Sequence, residues 1–178
     1  LIQNFNHLKI HSQYSICEGA VKIDDLQDFS KTNKLKSLGL CDTSNLCGAL
    51  EFAEKISKVG TQPIIGTQIN FKYGDCIGLL PLFALNEEGY KRIIKLSSIS
   101  FLENDELSDP HVDFKDLLDD NKGVAVFSGT IFGLFGELYN KGKFSEVLDL
   151  YKRLKLNFGD RFYIEIQRHN DQNESGFE

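Results

Sequence analysis

Five polar residues stand at or near the ends of the apolar segments that this sequence predicts as strands. They are His11, Asp42, Gln68, Glu165 and His169. In α/β folds the carboxyl ends of parallel strands meet at one edge of the sheet, and functional residues collect there. Imidazoles and carboxylates that converge at such an edge would be ligands for a transition metal. The same residues could also be polar groups that complete hydrogen bonds at strand ends.

The segments that would position these residues alternate between strand and helix patterns. Short apolar runs predict strands at 5–10, 36–41, 63–71, 77–85, 123–127 and 161–167. Apolar residues at three- and four-residue spacing predict helices between them, and the last helix has a face made of Phe144, Val147, Leu148, Tyr151 and Leu154. This alternation predicts parallel strands joined by crossover helices, in an α/β sheet or barrel.

Length and composition predict one folded domain over 1–178, with 41% hydrophobic and 26% charged residues. An α/β barrel takes about 250 residues, so we expect this chain to be cut before its barrel closes. Its first residue is Leu and it contains no Met, which favours a fragment of a longer protein or a chain that lacks its initiator residue.

The net charge of −6 argues against a domain that holds nucleic acid by itself. No apolar run is long enough to span a membrane. The four cysteines form no C-x-x-C pair and the chain lacks a secretory signal, so we expect free, mostly buried thiols in the cytoplasm. Phosphate-binding glycine loops and a serine-hydrolase elbow are also missing from the sequence.

Four segments resemble the N-terminal polymerase-and-histidinol-phosphatase (PHP) domain of bacterial DNA polymerase III alpha subunits. They are HLKIHSQYSICEGAVKIDDL (7–26), GLCDTSNLCGALEFAEKISKVGTQPIIGTQINF (39–71), ALNEEGYKRIIKLSS (84–98) and GDRFYIEIQRH (159–169). They lie in the family's order and span nearly the whole chain. The resemblance implies a distorted (β/α)7 barrel of the TIM-like type. It also implies a cluster of up to three metal ions at one end, where family members hydrolyse phosphoester bonds.

The sequence departs from the family's metal ligands at most positions. His11 is retained, whereas Lys9 stands where the family has another histidine and Glu18 replaces an aspartate. Three further ligands are replaced by Thr43 (for His), Gln68 (for Glu) and Thr130 (for Cys). The retained polar residues nearby are His7, Asp42, Glu165 and His169. The family's late Asp-x-His lies beyond Glu178.

These replacements disfavour a metal centre. A charged lysine offers donors alone and repels a cation, and the amide of Gln68 and the hydroxyl of Thr43 are poor ligands. A multi-metal site needs several anionic or imidazole ligands. We therefore expect no catalytic residue, no cofactor in this fragment and a pairing of Lys9 with Glu18 or another acid.

The resemblance implies a scaffold in DNA replication, which braces the polymerase and docks the proofreading exonuclease subunit among the other replicase subunits. DNA would be bound through the parent polymerase, whose own domain would use Mg. The alternative is an active phosphoesterase or 3′–5′ exonuclease that holds Zn or Mn with an altered ligand set. A third interpretation, compatible with the first, is a fragment that merely completes a larger enzyme.

Overall fold

One mixed sheet forms the centre of the molecule in the computed structural model, which describes residues 5–104, 108–168 and 174–177. The strands are β1 (Ser37–Thr43), β2 (Gln62–Tyr73), β3 (Cys76–Ala84), β4 (Val112–Asp113), β5 (Val124–Phe127) and β6 (Phe162–Tyr163). The helices are α1 (Ile23–Asn33), α2 (Ala49–Lys58), α3 (Glu87–Leu102), α4 (Phe114–Asp119), α5 (Leu134–Asn140), α6 (Phe144–Phe158) and α7 (Glu174–Phe177).

The sheet has the order β1-β2-β3-β5-β6, and β4 pairs with the far end of β2. β1 is parallel to β2, and β5 is parallel to β6, whereas β3 runs antiparallel to both of its neighbours. Crossover helices join the parallel strands, as such connections require. The predicted α/β fold is therefore confirmed, but the expectation of parallel strands is wrong for β3, which is joined to β2 by a short hairpin turn. Among the residues that the structure describes, the sheet stays open between β1 and β6.

The central strands are buried on both faces, which explains their continuous apolar sequences. Ile69 and Phe71 of β2, Leu80 and Leu82 of β3 and Val126 of β5 have no exposed surface. These side chains belong to the main apolar core, against which helices α3, α5 and α6 pack. The four-residue strand β5 is held between two partners, β3 and β6.

The predicted first strand at 5–10 is not formed, so this prediction is wrong. The segment runs beside β1, where Gly39 N–H donates to the His7 carbonyl at 2.7 Å and Cys41 N–H donates to the Ile10 carbonyl at 2.8 Å. A Cβ at position 39 would lie 2.3 Å from the Leu8 carbonyl oxygen. The missing side chain of Gly39 therefore allows this close passage.

The predicted last strand at 161–167 is also largely wrong, because β6 contains two residues. Ser128 explains its end. Its N–H donates to the Tyr163 carbonyl, but its hydroxyl oxygen, rather than a backbone carbonyl, accepts from Glu165 N–H, both at 2.9 Å. The Ser128 hydroxyl thus takes the place of the next backbone hydrogen bond between β5 and β6. Gly129 then turns the segment after β5 away with φ 73°.

Two burial predictions also fail. The predicted face of α6 includes Phe144 and Leu148, which are 62% and 52% exposed, while Leu150, Leu154 and Phe158 are buried. Of the four cysteines, Cys17 and Cys47 are exposed, so the thiols are not mostly buried. Within the described ranges, no helix is long and apolar enough to cross a membrane.

Candidate functional site

Most of the candidate ligand positions meet in one cavity of about 260 Å³ beside the carboxyl end of β5. We call it the strand-end cavity. Its predicted members are Lys9, His11, Glu18, Gln68 and Thr130, and the other lining residues are Leu79, Pro81, Gly129, Phe132, Gly133 and Gln167. The cavity therefore gathers residues that are far apart in the sequence.

A buried ion pair stands beside this cavity. Lys9 Nζ lies 3.1 Å from Glu165 Oε1, and the two side chains are 15% and 9% exposed. Gln167 Nε2 donates to the same carboxylate oxygen at 2.7 Å. The expected pairing of Lys9 with an acid is found, and the acid is Glu165 rather than Glu18. Because both groups are withdrawn from water, each charge depends on the other.

A chain of hydrogen bonds joins three of the positions at which the resemblance implied replaced ligands. Gln68 Nε2 donates to Thr43 Oγ1 at 2.8 Å. The Thr43 hydroxyl in turn donates to Glu18 Oε2. The hydroxyl therefore accepts one bond and donates another, which is the dual role that a hydroxyl can fill. An amide, a hydroxyl and a carboxylate thus satisfy one another without an ion.

Asp42 is a separate, fully partnered centre behind the cavity. Its side chain accepts from Ser12 N–H at 2.6 Å, from Ser12 Oγ at 2.8 Å and from Ser15 Oγ at 2.7 Å. The residue is 1% exposed. Asp42 with Ser12 and Ser15, which we call the Asp42 cluster, ties the loop after residue 11 to the end of β1. Asp42 is not among the residues that line the strand-end cavity.

Of the two remaining histidines of the prediction, His7 does not line the strand-end cavity. His7 is exposed, and its ring lies 4.8 Å from that of Phe5 and 6.0 Å from that of Phe29. His169 lies outside the described residues.

Cys41 is buried on β1, and burial raises the pKa of its thiol well above the ordinary value. The thiol therefore stays protonated and is no nucleophile.

Two buried atoms beside the ion pair have no hydrogen-bond partner among the residues that the structure describes. They are His11 Nδ1 and Glu165 Oε2. Buried polar atoms are usually satisfied. These two atoms are therefore the polar groups of the site whose hydrogen bonding is incomplete within the described residues.

The donor set does not fit the metal centre that the resemblance implies. The ammonium group of Lys9 is paired with the carboxylate of Glu165, and it would repel a metal cation bound beside that carboxylate. In the described part of the chain, no three His, Cys, Asp or Glu side chains stand close enough to hold a metal ion. We therefore derive no chemical step through a metal.

The family model of the PHP domain matches residues 7–169 of this chain. The chain belongs to the PHP domain family. It is 36% identical over 167 residues to the DNA polymerase III subunit alpha of Rickettsia felis, which covers 93% of this chain and 14% of the relative. It is equally identical over 180 residues to the subunit of Caulobacter vibrioides, covering 94% and 15%. The chain therefore spans about 15% of the length of these relatives.

A weaker likeness links this PHP domain to a solved amidohydrolase from Chromobacterium violaceum. The TM-score is 0.44 at 18% sequence identity, over 53% of this chain and 32% of the other.

Sequence reasoning missed several residues of this PHP domain's site. Ser12 and Ser15 fix Asp42, and Ser128 fixes Glu165. Serines in loops carry no distinctive signal, because their partners are set by the fold. Gln167 had a usable signal, since residues two apart in an extended segment point to the same side.

Proposed function

We propose that this PHP domain is a metal-free, catalytically inert scaffold within a bacterial DNA polymerase III alpha subunit, in the cytoplasm. The observation that carries the proposal is the buried contact of Lys9 Nζ with Glu165 Oε1. A fixed ammonium group supplies the positive charge that a carboxylate at this site needs. The site can then stay folded without an ion.

The hydrogen-bond chain from Gln68 through Thr43 to Glu18 supports the same proposal. Hydrolysis of a phosphoester needs an activated water and positive charge at the developing oxyanion. Lys9 is committed to Glu165, and Thr43 and Gln68 are neutral. What remains is a network that holds strand ends in place, which is what a scaffold requires.

Similarity to the polymerase subunits supports the placement in a replicase. This chain covers about 15% of those relatives, so polymerisation and its Mg²⁺ ions would belong to other parts of the polypeptide. DNA would be held there too, because the net charge of −6 disfavours phosphate binding by this domain. The proposed partners are the proofreading exonuclease and other replicase subunits.

The first test is the Zn and Mn content of the natural full-length protein after gel filtration. We expect no stoichiometric metal. A matched variant, Lys9→His with Thr43→His and Gln68→Glu, returns three ligands of the family pattern, and we expect it to retain more metal. One ion per chain in the natural protein would contradict the metal-free proposal.

The scaffold role is tested by co-elution of the full-length protein with the organism's proofreading exonuclease subunit. We expect a complex whose formation is insensitive to a chelator, because no ion holds the domain together. Failure of the two proteins to associate at micromolar concentration would sink the docking role and leave the metal result standing.

A second candidate function is a phosphoesterase or 3′–5′ exonuclease with an altered ligand set for Zn or Mn. His11 Nδ1 and Glu165 Oε2 favour it, because both are buried with no partner among the described residues and could bind an ion. It requires Lys9 to release Glu165. Metal-dependent nucleotide release from single-stranded DNA, abolished by His11→Ala, would support it, whereas activity unchanged by a chelator would exclude it.

A further inference from the structure

A cavity of about 350 Å³ lies where the end of β2 meets α4 and α6, and the proposed function does not use it. We call it the basic pocket. Its charged lining residues are Lys72, Asp113, Lys115 and Arg153. None of its lining residues belongs to the strand-end cavity. Three cations and one carboxylate therefore surround one recess, in a chain whose net charge is −6.

The guanidinium group of Arg153 is held in place by groups that leave its two terminal nitrogens available. Its Nε donates to Asp149 Oδ2 at 2.8 Å, and its Cζ lies 6.0 Å from the centre of the Tyr73 ring. The Tyr73 hydroxyl donates to the same carboxylate. Among the described residues, Nη1 and Nη2 of Arg153 have no hydrogen-bond acceptor. The group is thus oriented in advance, with two nitrogens left for the two oxygens of an anion.

The two lysines of the basic pocket are only weakly paired. Lys115 Nζ lies 3.9 Å from Asp113 Oδ2, and the lysine side chain is 72% exposed. The other carboxylate oxygen of Asp113 accepts from Lys115 N–H at 3.0 Å, as the cap of α4. Lys72 is opposite Asp113 in the register of β2 and β4, but no carboxylate of the described residues is within ion-pair distance of its ammonium group. Asp113 therefore neutralises at most one of the two lysines.

The aromatic rings of the basic pocket do not suit a nucleic acid base. Single-stranded nucleic acid is held by stacking of its bases on open aromatic faces. Phe114 is 3% exposed and meets the Tyr73 ring edge-on, with the ring centres 5.3 Å apart. Tyr73 is itself covered by the guanidinium group of Arg153. The lining therefore offers positive charge and a small apolar surface that includes Leu118, but no stacking platform.

We propose that the basic pocket docks an acidic peptide segment of another protein, whose carboxylates pair with Arg153, Lys72 and Lys115. An apolar side chain of the same segment contacts Leu118. Charge complementarity selects this occupant. Nucleic acid would carry further phosphates past the pocket, over a domain of net charge −6 that repels them. A small free anion would stay largely in water, because the Lys115 and Arg153 side chains are 72% and 54% exposed, whereas small-molecule sites enclose most of their ligand.

Carbodiimide coupling on the full-length protein tests the contact itself, because this reagent joins a carboxylate directly to an amine that lies beside it. The probe is a short, terminally blocked peptide of alternating glutamate and leucine. The same peptide with glutamine in place of glutamate is the blank. Mass spectrometry then measures coupling at Lys72 and Lys115 separately, so that reaction at other lysines of the polypeptide does not enter the result.

Arg153→Ala removes the oriented guanidinium group but leaves both reactive amines in place. We expect it to lower coupling at Lys72 and Lys115 about tenfold at a subsaturating peptide concentration, since a charge-assisted pair is lost. Lys152→Ala is the matched control, because it removes one exposed positive charge from the same helix but outside the lining. We expect it to change coupling by less than about twofold. Circular dichroism checks that each variant is folded.

Asp113→Asn tests the same pocket in the opposite direction. Asparagine caps a helix as well as aspartate does, so α4 keeps its cap. Loss of the negative charge should raise coupling at Lys115 about threefold. Coupling that is unchanged in both Arg153→Ala and Asp113→Asn would overturn the inference. So would single-stranded oligothymidylate that protects the two lysines at a lower concentration than the peptide does, because nucleic acid would then be the ligand.

The outcome is separable from that of the proposed function, on which this inference does not rest. Metal content and exonuclease binding are measured on the same preparations. Coupling that depends on Arg153, in a protein that binds metal or fails to bind the exonuclease, would keep this inference and remove the scaffold proposal. Coupling that ignores Arg153 and Asp113, in a metal-free protein that binds the exonuclease, would remove this inference alone.

Discussion

Two carboxylates are buried at the same end of the sheet, and they are satisfied in different ways. Asp42 accepts from three donors, all within the loop that follows residue 11. Glu165 has both of its side-chain partners, Lys9 and Gln167, on a single oxygen, while its other oxygen has none among the described residues. Asp42 takes all three donors from one loop, whereas Glu165 depends on a cation from the far end of the sequence.

The difference separates a purely structural carboxylate from one that needs a nearby positive charge. Neutral donors of one loop stabilise Asp42, so its role needs no ligand and no cation. The Glu165 carboxylate is withdrawn from water and is stabilised by a nearby positive charge. Lys9 supplies that charge at one carboxylate oxygen only, and the other oxygen has no partner among the described residues. Under the metal-free proposal, the salt bridge and the unsatisfied Glu165 oxygen would be what remains of a metal site.

The largest effect is expected from breaking the complete centre. Asp42→Ala leaves the Ser12 N–H and two serine hydroxyls without their acceptor, and we expect it to lower the free energy of unfolding by about 4 kcal/mol. Asp42→Asn keeps one acceptor oxygen and should cost about half as much. Urea denaturation measures both. A loss below about 1 kcal/mol for Asp42→Ala would show that water replaces the serines as a partner.

Breaking the incomplete centre should have the next largest effect. Lys9→Met leaves the carboxylate of Glu165 buried and unpaired, which we expect to cost about 3 kcal/mol of unfolding free energy. Lys9→Met with Glu165→Gln removes both charges and should recover most of the loss. If the double variant is no more stable than Lys9→Met, the two side chains do not depend on each other.

A smaller effect is expected at the hydrogen-bond chain that borders the strand-end cavity. Thr43→Val keeps the shape of the side chain but removes the hydroxyl that joins Gln68 to Glu18, and we expect a loss of about 1 kcal/mol because Glu18 is exposed. Thr43→Ser, which keeps the hydroxyl, is the control and should lose less. A larger loss for Thr43→Ser than for Thr43→Val in a denaturation experiment would mean that packing of the methyl group, not the bond, matters.

The central strands were predictable because strands that are buried on both faces have nearly continuous apolar sequences. β2, with Pro63-Ile64-Ile65 near its start, and β3 follow the predicted runs to within two residues at each end. β6 was overestimated, since its length depends on the partner strand, which turns away at Gly129. The sequence of β6 itself contains no pattern that shows where its partner strand β5 ends.

The site was predictable in its residue types and not in its pairings. The resemblance pointed to Lys9, Glu18, Thr43 and Gln68, and all but Thr43 line the cavity. That Lys9 pairs with Glu165 rather than Glu18 follows from the way β6 brings its following segment beside the N-terminal one. The distance between Lys9 and Glu165 is set by the whole fold, and the local sequence around either residue does not determine it.

The smallest expected effect tests whether a hydrogen-bonded carboxylate at the surface behaves like the buried ones. Asp149 accepts from Tyr73 and from Arg153, and these bonds hold the pKa of its carboxyl below the ordinary value. Burial, and then the bond to Asp149, raises the pKa of Tyr73 to about 12. The unfolded chain loses this proton near pH 10, at about the ordinary pKa of tyrosine.

Because the folded state binds the Tyr73 proton more tightly, this contribution to stability is complete below about pH 10 and is lost as the pH rises to about 12. Tyr73→Phe should therefore show a shallower fall of unfolding free energy over that range than the natural protein, while phenolate absorbance reports the titration directly. Identical slopes would mean that Tyr73 ionises as freely in the folded protein as in the unfolded one. The contrast with Asp42 would then be sharper, since bonds to a surface carboxylate would contribute nothing measurable where three buried ones hold a loop in place.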